Sequence, residues 1–349
     1  MFNFGKKKLI GLDIGSTSIK VAEIDGGRKP TLVSFGMIQT PAGAIASGDI
    51  VQVDQLSDAI QELVQQVNIK RKYAATGMWG SSVIVKKISI PRMEEELIGE
   101  QLRWEAEQYI PYDTSQVHID YKILRNIKSE SPDAMELLLV AAVQDSVFKV
   151  MEIVEMTGLS CSIVDVSGFA LANCFEQNYG RTSQPVVLIN FGANIISLVI
   201  VDSGEVIFSR DIPVGGNLYN AELQKAMGVS PDEAEALKVG ASTGQETPQE
   251  VTGIIQGTHE IIVDEINNTL DFFANTSNSG DLAQAYITGG GAKTPGFSEL
   301  FSKTLTCEKL DPFLSIGYKP DVFSRAYMEQ IKDYAPVVMG LALRGVDEK

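Results

Sequence analysis

Asp13 and Lys20 are the first residues in the chain whose types and spacing suit a chemical task. They flank the turn Gly15-Ser16-Thr17-Ser18 within LIGLDIGSTSIKVAEID, which runs from Leu9 to Asp25. Leu9, Ile10, Leu12 and Ile14 predict one short strand, Ile19 to Ile24 predict a second, and the small residues join them. A carboxylate at the mouth of such a turn suits the water shell of Mg²⁺. Gly15 lets backbone approach a ligand closely. The amides and hydroxyls of Ser16, Thr17 and Ser18 suit phosphate oxygens, and Lys20 directs a long cation at the same charge. Each charge-assisted bond to phosphate would contribute about 1.5–3 kcal/mol. Taken alone, the stretch is more simply a hairpin with a polar turn, its Asp13 and Lys20 solvated.

The theme returns half a chain later. VVLINFGANIISLVIVDSGEVIFSRDIPVGG, from Val186 to Gly216, reads as strand, turn, strand, turn, strand. Asn190 falls on Asp13, Gly192 on Gly15 and Ser197 on Lys20, an offset of 177 residues (190 − 13) in a chain of 349. Such spacing suggests duplicated domains closing on one ligand. A third element runs from Tyr286 through Gly289, Gly290 and Gly291 toward a helix expected near Pro295, where a planar ligand could lie against backbone at a helix N-terminus. Other nucleotide motifs are missing: there is no GxxxxGK[ST], and Gly289 and Gly291 do not continue into GxGxxG. Each of the three elements is weak alone; their order and spacing together are specific.

Composition sets the outer bounds. A chain of 349 residues, 44% hydrophobic and 21% charged, predicts two globular domains. A net charge of −16 argues against nucleic acid or an anionic bilayer as the main partner, but allows a local ATP site. Cys161, Cys174 and Cys307 have no CxxC spacing and the chain has two histidines, so neither a disulfide framework nor a zinc site is expected. That usage suits a reducing cytosol. Lys6, Lys7 and Lys8 precede an apolar run broken at once by Asp13, which is no signal peptide. No run of about 18 apolar residues predicts a membrane span. Phe2 and Phe4 beside the lysines suit weak bilayer contact or, more simply, a frayed start.

The elements that must position these residues can be read in turn. Thr31 to Gln52 predicts a strand and loop, Val53 to Val67 an amphipathic helix, and Tyr73 to Val85 a strand region. Val83 to Ser160 reads as a unit of its own. It has a helix at Glu94 to Tyr109 stopped by Pro111, a half-buried strand at Val117 to Ile123 and a buried strand at Glu136 to Val143. A second helix at Asp145 to Thr157 is closed by Gly158. His118 falls on the polar face of its strand and should be solvated. Ser230-Pro-Asp-Glu233 and Thr247-Pro-Gln-Glu250 both predict capping boxes. The helix from Pro248 to Ala274 carries His259, expected on its surface, and Tyr334 to Arg344 predicts an apolar helix. No amphipathic anchor helix is expected after it.

This combination resembles the actin, Hsp70 and hexokinase superfamily, in particular its bacterial FtsA branch and the PilM family of type IV pilus assembly. The resemblance covers nearly the whole chain. It rests on KKKLIGLDIGSTSIK, EAEQYIPYD (Glu105 to Asp113), LLVAAVQDSV (Leu138 to Val147) and GLSCSIVDVSGFALANCF (Gly158 to Phe175). It continues through FGANIISLVIVDSGEVIFSRDIPVGG, DEAEALK, ITGGGAKTPGF and YAPVVMGLALRG. It implies an α/β actin-like fold of two lobes, each a βββαβα core. The first lobe takes residues 1–82 with 161–182 and 330–349. An FtsA-type subdomain is inserted at 83–160. The second lobe takes 183–329, with a helical subdomain at 218–280.

The resemblance also implies ATP and Mg²⁺ in the interlobe cleft. Asp13, as metal residue, Gly15 to Ser18 and Lys20 would form the first phosphate loop, and Asn190, Gly192, Ala193 and Asn194 the second. Gly215, Gly216 and Asn217 would contact phosphate and ribose. Glu235 and Lys238 would flank the adenosine, with Gly289, Gly290 and Gly291 against it. For Glu235 and Lys238 a plain surface i,i+3 pair is the rival. Asp165 would orient the attacking water, with an ordinary end-of-strand acid the equal alternative. Asn190 stands where relatives carry an acid, and an amide cannot supply the charge that helps hold Mg²⁺ and polarise water. ATP binding with slow or no hydrolysis follows.

The implied function is a cytoplasmic ATP-binding scaffold recruited to the inner membrane through the cytoplasmic tail of a PilN-like protein. That tail would lie in the groove beside the inserted unit. Self-association is compatible with the sequence. The other readings are a small-molecule kinase of the same superfamily and an FtsA-like cytoskeletal adaptor.

Overall fold

The computed structural model describes residues 8–26, 29–46, 48–127, 129, 131–277 and 280–344. Phe2, Phe4, Lys6, Lys7 and the last five residues lie outside them, and with them the expectations of a frayed start and of a missing anchor helix.

Asp13 and Lys20 face each other because β1 (Leu9–Ile14) and β2 (Ser18–Asp25) pair antiparallel. β3 (Thr31–Gln39) extends the meander. A small ribbon of β4 (Ile45–Ala46) and β5 (Asp49–Ile50) leads into α1 (Val53–Gln66). Leu56, Ile60 and Leu63 of α1, one stripe at helical spacing, are buried against Ile10, Leu12, Ile14, Ile19 and Val21. β6 (Tyr73–Met78) then returns parallel to β1.

The chain next leaves the lobe. β7 (Val83–Pro91), α2 (Glu95–Glu105), β8 (Val117–Ile123) and β9 (Ala134–Val143) build a three-stranded sheet in the order β7-β9-β8 with α2 against it. α2 gives way to a 3₁₀ turn at Ala106–Gln108, short of the expected Tyr109. Alternation along β9 sends Leu137, Leu139 and Ala141 toward α2. Leu138 instead joins Leu124, Val85 and Ile127 in the core of the second lobe. The inserted unit therefore packs on the second lobe, although covalently it interrupts the first. α3 (Gln144–Met156) belongs with α1, through Ile153 and Val154.

β10 (Ser160–Val166) completes the first sheet and α4 (Ser167–Tyr179) crosses to the second lobe. There β11 (Val186–Phe191), β12 (Ile196–Asp202) and β13 (Glu205–Ile212) repeat the opening meander. α5 (Asn217–Met227), α6 (Pro231–Ser242) and α7 (Gln249–Thr276) follow, then β14 (Gln284–Thr288), α8 (Phe297–Phe301) and β15 (Cys307–Lys309). The second sheet runs β13-β12-β11-β14-β15. β16 (Gly317–Tyr318) already pairs with β3, so the chain re-enters the first sheet, β10-β6-β1-β2-β3-β16, earlier than the expected boundary at 329. α9 (Arg325–Ile331) and α10 (Pro336–Leu343) close the fold.

Two local expectations need correction. Ser230 and Glu233 do form a reciprocal capping box, but Thr247 and Glu250 do not. Pro248 is itself the residue preceding α7, which puts Thr247 one position too early. Its hydroxyl donates to the Gln245 carbonyl at 2.9 Å instead. His259 is buried at 2% exposure rather than lying on the surface of α7. His118 is exposed as expected, its ring edge-on to Phe148.

The lobes are joined by two crossing helices, α4 and α10, whose side chains share one core with both sheets. Their contact is backbone to backbone. A Cβ at Gly340 would stand 1.7 Å from the Ala170 carbonyl oxygen, and one at Gly11 2.1 Å from that of Val338. Gly340→Ala should therefore lower stability by about 3 kcal/mol or more. Gly257, inside α7 with open space at its Cβ position, is the control: Gly257→Ala should raise stability by about 0.5–1 kcal/mol. Urea unfolding of the two variants measures both signs.

Candidate functional site

The polar turns of the two meanders meet across a cleft of about 300 Å³. They are built alike. The Gly15 amide donates to the Ser18 carbonyl at 3.1 Å, and the Gly192 amide donates to the Ile195 carbonyl at 3.0 Å. A Cβ at either glycine would fall within 2.8 Å of that same oxygen, so the tight turn demands glycine twice. Thr40 buttresses the first turn: its hydroxyl donates to the Gly15 carbonyl at 2.6 Å and its amide to the Thr17 carbonyl at 3.0 Å. Gly216 and Asn217 buttress the second, their amides donating to the carbonyls of Gly192 and Ala193 at 2.9 and 2.8 Å. Asn217 also donates its side-chain amide to Asn194 at 2.6 Å.

The cleft wall gathers Asp13, Gly15, Ser16, Thr17, Ser18 and Lys20 from one lobe. From the other come Asn190, Gly192, Ala193, Asn194, Gly216, Asn217, Glu235, Lys238, Gly289, Gly290 and Gly291. Two of the expected residues are elsewhere. Gly215 packs behind the second turn, where its Cβ would meet the Ala193 and Gly192 carbonyls. Asp165 is buried behind the wall, with Arg344 Nε 3.1 Å from its Oδ2. Burial raises its carboxyl above the usual range, and Arg344 and the Val166 amide offset only part of that. An acid so enclosed is in no position to meet a water in the cleft, because β10 carries it toward the end of α10.

Asp13 and Lys20 are not the solvated pair that the turn alone suggested. Their side chains are 14% and 12% exposed and meet at 3.0 Å. Lys238 and Glu235 also pair, at 2.6 Å, with Lys238 Nζ 3.5 Å from the Gly216 carbonyl. Burial would push the Glu235 carboxyl up, but bonds from Lys238 and Asn220 outweigh it and hold the group below its ordinary value. The glycine turn has a different basis from the one expected. Gly289, at φ +93°, packs on the Phe191 carbonyl, and a Cβ at Gly291 would lie 2.3 Å from the Phe191 ring. A 3₁₀ turn follows at Gly290–Lys293, and α8 begins at Phe297, later than Pro295.

Several wall residues escaped the sequence reading: Trp79, Ser167, Lys293, Thr294, Asp333 and Tyr334. Lys293 Nζ lies 5.1 Å from the centroid of the Tyr334 ring. Both sit inside the stretches already quoted, ITGGGAKTPGF and YAPVVMGLALRG, and that placement was the available signal.

The donor set fits Mg·ATP. Two glycine turns leave room for phosphate against backbone, and Ser167 Oγ is buried at the wall without a hydrogen-bond partner. Among the described residues no group of three metal-ligating side chains exists. That suits Mg²⁺, which takes one carboxylate, phosphate oxygens and water rather than a protein cage. Asp13 would hold it through that water, Gly15 to Ser18 and Gly192 to Asn194 would hold phosphate, and the metal would supply charge neutralisation.

The profile of the type IV pilus assembly protein PilM family matches residues 11–346. The cell division protein FtsA of Bacillus subtilis is 22% identical over 344 residues, 85% of this chain and 76% of that protein. FtsA of Neisseria meningitidis is 23% identical over 254 residues, 65% of this chain and 60% of that protein. A solved PilM-PilN type IV pilus biogenesis complex superposes with a TM-score of 0.88 at 24% identity, over 99% of this chain and 100% of that one. MreB5 of Spiroplasma citri bound to AMPPNP superposes with a TM-score of 0.54 at 11% identity, over 96% and 95%. The fold is the two-lobed actin-like one that the sequence resemblance implied.

One buried network ties the wall together and titrates. His259 Nε2 donates to the Pro295 carbonyl at 2.8 Å, leaving Nδ1 to accept from the Tyr219 hydroxyl at 2.7 Å. This joins α5, whose first residue is Asn217, to the turn after Thr294. Burial holds the imidazole below its ordinary value of 6.5, against the pull of the Pro295 carbonyl and Glu299. Below pH 6.5 the unfolded chain takes up a proton that the folded chain refuses, so this network's stabilisation is complete above that pH and lost as pH falls. The stability difference between wild type and His259→Gln should therefore shrink from pH 7.5 to 5.5 in urea titrations. A constant difference would show that the ring is not held neutral.

Proposed function

The chain belongs to the type IV pilus assembly protein PilM family, and on that premise we propose that it is an ATP-binding scaffold of the pilus inner-membrane platform. The observation that carries the nucleotide half is the pair of matching glycine turns, each closed by the same amide-to-carbonyl bond, facing each other across one cleft. Asp13 and Lys20 provide one acid and one cation at the first turn. Phosphate entering there would compete with Asp13 for the Lys20 ammonium and release the carboxylate toward a metal's water shell. The second turn offers the Asn190 amide, and Asp165 is committed to Arg344. Both features support ATP held as a switch, with slow hydrolysis or none. They also take away the base that a small-molecule kinase would need.

The partner half rests on the family and on the inserted unit. Among the described residues no helix is long and apolar enough to cross a membrane, so work at the inner membrane calls for a tether. The cytoplasmic tail of a PilN-like membrane protein is that tether in this reading, and it recruits a cytoplasmic scaffold. The inserted unit and its neighbour α3 expose Leu97 and Phe148 at 53% and 54%, apolar surface that a partly apolar peptide would cover. The unit is covalently rooted in the first lobe and packs on the second, so lobe closure and the peptide groove cannot be independent.

Calorimetric titration tests both halves. Mg·ATP should bind the wild type, and Asp13→Ala should weaken it about tenfold or more, the loss of one charge-assisted contact. A PilN-like N-terminal peptide should bind wild type, and ATP should change its affinity by the same factor by which the peptide changes that of ATP. In Asp13→Ala the peptide should still bind, and about tenfold more ATP should be needed to change its affinity. Equal ATP affinity in the two proteins would overturn the site; a peptide that fails to bind would overturn the tether.

A further inference from the structure

Asp211 is a half-buried acid that the nucleotide site does not use. It lies on β13 opposite Ser197, and Ser197 lies on β12 opposite Asn190. The three polar side chains thus form a row across one face of the second sheet. Asn190 and Ser197 reach the cleft wall; Asp211 does not. In the first lobe the row is Asp13, Lys20 and Met37, with an exposed methionine in place of the third polar group.

The two oxygens of Asp211 serve different lobes. Oδ1 accepts from the Ser197 hydroxyl at 2.5 Å. Oδ2 accepts from the backbone amide of Gly80 at 2.6 Å. Gly80 belongs to the first lobe, at the point where the chain leaves β6 for the inserted unit, and it turns there with φ +77°. Among the described residues no Lys, Arg or His stands within ion-pair distance of the carboxyl. Burial raises the Asp211 carboxyl above its ordinary range, and the Ser197 and Gly80 bonds offset only part of that. A half-buried carboxyl that has exchanged water for two protein partners cannot lose one cheaply. Any movement of the Asn190–Ser197 row relative to Gly80 must therefore drag the root of β7 or strand the carboxyl.

We propose that Asp211 is a positioning residue that couples the occupied cleft to the inserted unit by tying the second phosphate turn to Gly80. The proposal rests on the nucleotide reading of the cleft. It adds the physical link by which the nucleotide would reach the partner surface. A second bridge, Lys122 Nζ to Glu205 Oε2 at 2.6 Å, also joins the insert to the second lobe, but far along β13 from the Ser197 row.

The test is hydrogen–deuterium exchange across residues 79–88 with and without Mg·ATP, with ATP affinity measured in parallel. In wild type, nucleotide should slow exchange there by about fivefold or more. Asp211→Ala should keep an ATP affinity near that of wild type and lose the slowing. Asp211→Asn, which keeps an acceptor for the Gly80 amide, should restore it. Lys122→Ala should leave it in place, which separates coupling from a general loosening of the insert. If Asp211→Ala does not fold, Asp211→Ser, too short to reach Gly80, is judged by the same criterion. An undiminished ATP response in the Ala or Ser variant would overturn the proposal and leave the nucleotide site standing. Wild type that binds no ATP would overturn both.

Discussion

The geometry of the cleft depends on one apolar helix brought into backbone contact with its neighbours. α10 is buried along its length and meets β1 at Gly11 and α4 at Gly340, closer than any side chain would allow. β1 carries Asp13 next to its end at Ile14, and α4 leads to the second meander. Just before α10, the Asp333 carbonyl accepts from the Gly289 amide at 2.8 Å and from the Thr288 hydroxyl at 2.9 Å. The first turn, the bridge to the second turn and the glycine turn are thus referred to one rigid element. Close packing makes such a junction stiff, and bistable rather than continuously deformable.

Duplication supplies the shape of the site, and divergence supplies its chemistry. Both meanders make the same glycine turn, yet one carries Asp13 and Lys20 and the other Asn190 and Ser197. The second lobe does carry an acid two strands from Asn190, Asp211, which faces Ser197 and the opposite lobe instead of the cleft. In the proposed reading, an amide at the wall and a carboxyl behind it suit holding a nucleotide more than attacking it. The inserted sheet fits the same logic, with one face on α2 and the other contributing Leu124 and Leu138 to the core of the second lobe.

Much of this was legible from local pattern. The hairpins announced themselves through apolar runs broken by small residues, and their offset of half a chain pointed to a shared cleft. The stripe on α1 and the capping box at Ser230 were read correctly because helix period and capping are local physics. What was missed depends on residues far apart in sequence. His259 reads as one more polar position on a long helix until Tyr219 and Pro295 close around it. Asp211 drew no notice in its strand, because its partners Ser197 and Gly80 stand 14 and 131 residues away in sequence. Asp165 lay at the expected strand end, but Arg344, at the far end of the chain, claims it. The Thr247 box failed because Pro248 takes the capping position itself, a choice the tetrapeptide alone does not reveal.

The central claim is that the two glycine turns close on one Mg·ATP. A crystal structure grown with a non-hydrolysable ATP analogue and Mg²⁺ tests it most directly. The account predicts the terminal phosphates between the amides of Gly15 to Ser18 and those of Gly192 to Asn194, with Lys20 turned from Asp13 to phosphate. An analogue bound outside the cleft, or one touching a single turn with the Asp13–Lys20 pair intact, would contradict it.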